Sequence, residues 1–393
     1  MVVASGVDQV FERAVDAGVA PGVVALAAND NDLIYEGAFG KREVGKDAAM
    51  TLDSVVWIAS MTKAVTSVAA MQLVEQGRLG LDEPLGQRVS ELASVQVLEG
   101  FDAAGAPRLR PPRRPITLRH LLTHTAGFTY DFWNQDMVRY YQHAGVPGIA
   151  ECKNATLQTP LVCDPGERWE YGINLDWVGK TVEQLSGQSL EDYFREHIFA
   201  PLDMNDTGFV LRPDQRTRQA AMHARQPDGS LTPIPFEIPQ QPEFFMGGGG
   251  LYSTGPDYLK FLRMLLGGGQ LAGARVLQSE TVDDMSRNHI GELTVGPMKT
   301  AAPTLSHDAE FFPGMVKKWG LGYMISTEAA PTGRSAGSLA WAGLANTYYW
   351  LDPTRRVTGV FATQILPFAD PNVLDVFAAF EQAIYETRVP VAT

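Results

Sequence analysis

The chain has 393 residues, 45% apolar and 20% charged, the composition of an ordinary globular protein able to bury a large core. Its formal charge of −13 argues against DNA, RNA or an anionic membrane as a partner, since each of those calls for a positive surface. Two cysteines, Cys152 and Cys163, are too few for a disulfide framework; with no leader-like N-terminus and no long apolar run, they read as reduced thiols of a cytoplasmic protein.

Along the chain, Val7, Val10, Phe11, Ala14 and Val15 make a helical stripe. Two β-type runs, 22–28 and 33–39, flank a turn-rich 29–32 segment and predict a hairpin. The apolar run 55–59 then leads into Ser60-Met61-Thr62-Lys63, and a helical pattern through Ala64, Val68, Met71 and Leu73 stops at Gly77. From 80 to 245 the strand signal fades into short helices, proline-rich loops and most of the aromatic residues. The basic cluster Arg108, Arg110, Arg113 and Arg114 is interleaved with prolines and reads as an extended, solvated loop. Helices are expected over 175–185 and 258–266, strands over 319–326, 338–341, 346–351 and 357–363, and a last helix over 373–388. Strands at both ends with helices between them predict an α+β fold. One antiparallel sheet, built from both chain ends and flanked by helices, carries an inserted, mainly helical lobe. The whole of 1–393 then forms one domain, with an α/β lobe from 1–79 plus 246–393 and a helical lobe from 80–245. Nothing in the sequence specifies an oligomeric state.

The chemistry centres on Ser60 and Lys63. Three residues apart at the start of a helix, hydroxyl and amine share one face, the arrangement of a Ser–Lys acyl-transfer pair. The lysine must be neutral to take a proton, and bringing its pKa from about 10.4 to near 7 costs about 4–5 kcal/mol of burial and neighbouring interactions. A third polar group is needed to pass the proton on, and Tyr171, at the mouth of the 175–185 helix, offers one; alone, such a tyrosine is more often a core residue. The segment from Gly337 to Leu344 reads as an edge strand with a glycine where a backbone approaches a ligand closely. Its Leu344 amide is a candidate to pair with that of Ser60 as an oxyanion hole.

With these residues in place, the chain resembles the serine β-lactamase/penicillin-binding-protein superfamily and, within it, the family VIII carboxylesterases. Ser60-Met61-Thr62-Lys63, Tyr171 and Trp341-Ala342-Gly343 carry the resemblance. His120 to Gly127, Asp164-Pro165-Gly166 and Gly247 to Thr254 support it. The resemblance implies a β-lactamase-like fold, Ser60 as nucleophile, Lys63 as base, Tyr171 as proton relay, and the Ser60 and Leu344 amides as oxyanion hole. Two departures from the β-lactamase pattern matter: Ile173 stands where Tyr-x-Asn has its asparagine, with Asn174 one place late, and Trp341 replaces the lysine of Lys-Thr-Gly. A neutral indole cannot attract a substrate carboxylate but can line an apolar pocket. Trp341, Gly343, Asn174, Phe128, Tyr130, Trp133 and Phe245 are the expected substrate-binding residues, although the aromatic ones equally suit a lobe core.

Two other motifs are weighed and set aside. Gly333-Arg-Ser-Ala-Gly337 matches a nucleophile elbow, but a strand pattern follows it and no histidine lies beyond His307. His120 and His124 have zinc-ligand spacing, but Leu121 stands where a metalloprotease needs its glutamate. The expectation is therefore a cofactor-free and metal-free serine carboxylesterase for a small-molecule ester that is neutral and hydrophobic. An acyltransferase using an alcohol acceptor is the alternative. A β-lactamase or D-amino-acid peptidase, and a non-catalytic binding protein on the same fold, follow behind.

Overall fold

The computed structural model describes residues 2–387. Helix α1 spans Val2–Asp16, and the expected hairpin forms as β1 (Gly22–Asn29) and β2 (Leu33–Gly40). Helix α2 covers Thr62–Glu75, α3 covers Asn174–Ser186 and α4 covers Gly255–Leu266. Then come β3 (Lys317–Trp319), β4 (Met324–Ser326), β5 (Leu339–Gly343), β6 (Thr347–Asp352), β7 (Val357–Ala362) and α5 (Pro371–Glu386). The last helix thus ends short of 388, which lies outside the described residues.

The seven strands form one antiparallel sheet in the order β3-β4-β5-β6-β7-β1-β2, so both ends of the chain build it. Strand β1 sits next to β7, with Ala25 opposite Phe361. Side chains alternate between faces with a period of two. Ala25 and Phe361 face α1 and α5, where Phe11, Phe361 and Phe380 form an aromatic cluster. Val24 and Leu26 face the other way, where the start of α4 presses so close that a Cβ on Gly255 would stand 2.5 Å from Leu26. With both faces covered, β1 is buried almost throughout, which is why it reads as a continuous apolar run. Helix α2 is buried from Thr62 to Leu73, all the way round, as expected of a central helix packed on every side.

Several expectations are corrected. The 80–245 region does contain strands: Val97–Phe101 pairs with Pro107–Arg110, and Met222–Arg225 pairs with Leu231–Ile234 and with Ile365–Leu366. These strands are only two to five residues long, too short for an alternation to mark them. The basic cluster is not a solvated loop throughout: the Arg110 guanidinium makes two bonds, of 2.9 and 2.8 Å, to the buried Asp164 carboxylate. The 319–326 run is a hairpin, not one strand. Strand β5 is not an edge strand but lies between β4 and β6. Both cysteines are buried and unbonded to each other, and among the described residues no helix is long and apolar enough to cross a membrane.

Candidate active site

Ser60 sits where a short strand turns into α2. Val56–Trp57 pairs with Tyr252–Ser253, and the Trp57 backbone is clamped at both N–H and C=O by the Gln364 amide, each at 3.0 Å. Ala59 then takes a left-handed φ of 45°, a strained conformation for a residue with a side chain, and the Ala59–Met61 turn delivers Ser60 to a pocket wall. One turn on, Lys63 is completely buried. Its Nζ donates to Ser60 Oγ at 3.0 Å, to the Tyr130 hydroxyl at 3.0 Å and to the Gly248 carbonyl at 2.6 Å. Burial lowers its pKa to about 7, against the nearby Asp176 carboxylate, which acts to raise it.

Two tyrosines meet this amine because their backbones run side by side. The Tyr130 amide and the Thr129 hydroxyl both donate to the Tyr171 carbonyl, at 3.4 and 3.3 Å. Only glycine fits at 172, where a Cβ would lie 2.3 Å from the Thr129 Cα. The Tyr171 hydroxyl accepts the Trp341 indole N–H at 2.9 Å, and Tyr171 lines the same pocket as Ser60. The Lys63 Nζ stands 4.7 Å from the centre of the Tyr171 ring. Burial pushes both phenols above the usual tyrosine range, so both keep their protons at neutral pH.

The end of β5 closes the third side. At Gly343 a Cβ would lie 2.3 Å from the Ile58 carbonyl and 2.3 Å from Thr347 Oγ1, so the missing side chain lets the strand press against the Ser60 turn. Leu344 follows directly and lines the same pocket as Ser60.

That pocket has a cavity volume of about 150 Å³ and is open to solvent on one side. Trp57, Phe132, Trp133, Met298, Trp341 and Phe368 give it its apolar character, and among its lining residues only Asp131 is charged. Of the expected substrate-binding residues, Tyr130, Trp133, Trp341 and Gly343 line it. Three do not. Phe128 is fully buried and stacks on Trp177. The Asn174 amide is fully buried too, donating to the Phe128 carbonyl at 3.1 Å and lying 3.0 Å from His124 Nδ1, so it ties segments together behind the site. Phe245 turns away to pack on Phe209. Sequence reasoning missed the Gly248 carbonyl and Asp176 entirely and placed Tyr130 in the pocket without its contact to Lys63. Those partners lie 67 to 185 residues from Lys63 along the chain, and no local pattern signals them. His120 and His124 serve as structural groups: His120 caps a short helix, and His124 packs on Tyr171 with ring centres 4.7 Å apart.

The sequence profile described as beta-lactamase matches residues 7–384. Monacolin J acid methylbutanoyltransferase of Aspergillus terreus is 36% identical over 394 residues, covering 95% of this chain and 94% of that protein. Lovastatin esterase of Penicillium rubens is 32% identical, covering 96% and 97%. Among solved structures, a mutant of simvastatin synthase from Aspergillus terreus superposes with a TM-score of 0.84 at 33% identity, covering 97% of this chain and 94% of its own.

Proposed function

The chain belongs to the beta-lactamase family, as a serine acyl-transfer enzyme, and on that premise we propose that it hydrolyses neutral, hydrophobic carboxylic esters through an acyl-Ser60 intermediate. The observation that carries this reading is the Lys63 amine, buried and held 3.0 Å from Ser60 Oγ at the wall of an apolar pocket. In this reading Ser60 Oγ attacks the ester carbonyl carbon while its proton passes to neutral Lys63. The amides of Ser60 and Leu344 hold the oxyanion. As the C–O bond to the alcohol breaks, the alkoxide takes the Tyr171 phenol proton, and Lys63 returns a proton to Tyr171. Water then attacks the acyl carbon, loses its proton along the same route, and releases acid and free Ser60. The protonated state of both phenols supports Lys63, not a phenolate, as first proton acceptor. Trp341 supports the assignment of Tyr171 as relay, because its N–H fixes that hydroxyl.

A second reading, transfer of the acyl group to an alcohol, is favoured by the transferase among the relatives and by a pocket poor in groups that hold water. The two buried, unpaired thiols support a reducing compartment, and we assign the protein to the cytoplasm on that ground. Intact-mass spectrometry after brief exposure to p-nitrophenyl butyrate tests the proposal. Wild type gains one butyryl group and Ser60→Ala gains none; labelling that survives in the variant overturns it. Adding a primary alcohol to the steady-state assay then separates the two readings by the ratio of new ester to free acid.

A further inference from the structure

Helix α3 brings a second ionisable group to within one residue of the Lys63 amine. Asp176 lies in the first turn of α3 and is fully buried. Its Oδ1 accepts the Gly248 amide at 2.8 Å, while Oδ2 has no hydrogen-bond partner among the described residues. The carbonyl of that same Gly248 is the shortest contact of the Lys63 amine, at 2.6 Å. A single glycine is therefore gripped from both sides, by a carboxylate on its N–H and by an amine on its C=O. No other residue fits there, since a Cβ on Gly248 would stand 2.5 Å from Asp176 Oδ2.

The ionisable groups facing Lys63 come from three directions. Tyr130 and Tyr171 stand on one side and His124 behind them, all held neutral by burial. Asp176 stands across Gly248 and is the one group of this set that can carry a negative charge close to the amine. Burial of the carboxylate opposes that charge, and Lys63 and the Gly248 amide favour it. Carboxylate and amine answer to each other through the peptide between them.

We infer that Asp176 is a positioning residue of the acyl-transfer centre: it fixes the Gly248 peptide that aims the Lys63 amine, and its negative charge governs when that amine is free of its proton. The inference rests on the Ser60–Lys63 reading above. It adds to that reading a residue that touches neither substrate nor the reacting atoms and does not line the pocket.

Two variants separate aim from charge. In Asp176→Asn the side-chain oxygen still accepts the Gly248 amide, so the aim is kept and the charge removed. Without the carboxylate the protonated amine loses its partner, and the acid limb of the kcat/KM–pH profile moves about one unit lower, with plateau kcat within several-fold of wild type. In Asp176→Ala the glycine loses its anchor, and plateau kcat falls about 10- to 100-fold while KM for a neutral ester stays put. An Asp176→Asn limb that coincides with wild type, in protein whose near-UV circular dichroism is native, overturns the inference. So does an Asp176→Ala enzyme with wild-type kcat. If Asp176→Ala does not fold, the Asp176→Asn profile decides alone. Failure of the underlying reading shows separately, as butyryl labelling of Ser60→Ala, and that outcome overturns both.

Discussion

A lysine that serves as a base must shed a charge that water would stabilise, and removing the water is the simplest way to make it do so. Lys63 is buried to its tip, and its three contacts are a serine hydroxyl, a phenol and a peptide carbonyl, none of which brings a full charge. The working form is the neutral amine, so activity falls as pH drops and the amine gains a proton. The acid limb of kcat/KM for p-nitrophenyl butyrate is expected near pH 7, far below the range of an ordinary lysine. Lys63→Arg removes the option of neutrality, because a guanidinium keeps its proton throughout this range. Its kcat/KM should drop about 10²- to 10⁴-fold with native circular dichroism, the usual worth of a general base. A Lys63→Arg enzyme that retains wild-type turnover would remove Lys63 from the proton path.

At the scale of elements, the site is an intersection. The Ala59–Met61 turn supplies the hydroxyl and helix α2 the amine, the paired 129–130 and 171–172 segments supply the phenols, and β5 comes in from the opposite side of the sequence. Three glycines make the crossings possible: Gly172 against Thr129, Gly248 against Asp176 and Gly343 against Ile58. Gly343→Ala forces a methyl into the Ile58 carbonyl and so pushes β5 off the Ser60 turn. It should cost about 1–3 kcal/mol of stability by overpacking, and about 100-fold in kcat as the Leu344 amide moves away. Thermal unfolding and steady-state kinetics on the same preparation check both numbers. A folded variant with undiminished kcat would show that the Leu344 amide holds no oxyanion. How far these crossings were legible beforehand follows from their range. The hydroxyl–amine proximity is a helical i, i+3 relation and can be read locally from Ser60 and Lys63. The two-ended sheet follows from apolar runs at 22–28 and 346–363, which burial on both faces makes unmistakable. The contact of Tyr130 with Lys63 and the inward turn of Phe128 depend on how distant segments stack, and neither residue's neighbours in sequence carry that information. The short strands around 97–110 and 222–234 escape a sequence reading because each is four or five residues long and is held by pairing with its neighbour, which too short a run does not signal.

For the molecule as a whole, the pocket has one charged lining residue, and it is an acid. A negatively charged substrate meets no compensating cation among the lining residues, and burial of its own charge is costly. In a matched series of butyrate esters differing only in the end group of the alcohol, the neutral member should exceed the carboxylate by about tenfold or more in kcat/KM. Asp131→Asn should narrow that gap; a carboxylate ester turned over as well as its neutral twin would refute the electrostatic reading of the pocket. The frame and the walls have different origins. Lys63 hangs on a helix buried around its whole circumference and Ser60 on the turn that leads into it, whereas much of the wall comes from short turns and loops near 130, 150 and 300, joined by bonds such as that from the Ala301 amide to the Phe132 carbonyl. A lineage carrying this scaffold can therefore recut what it admits, one loop at a time, and leave its chemistry standing; diversification of diet costs it no refounding of the core.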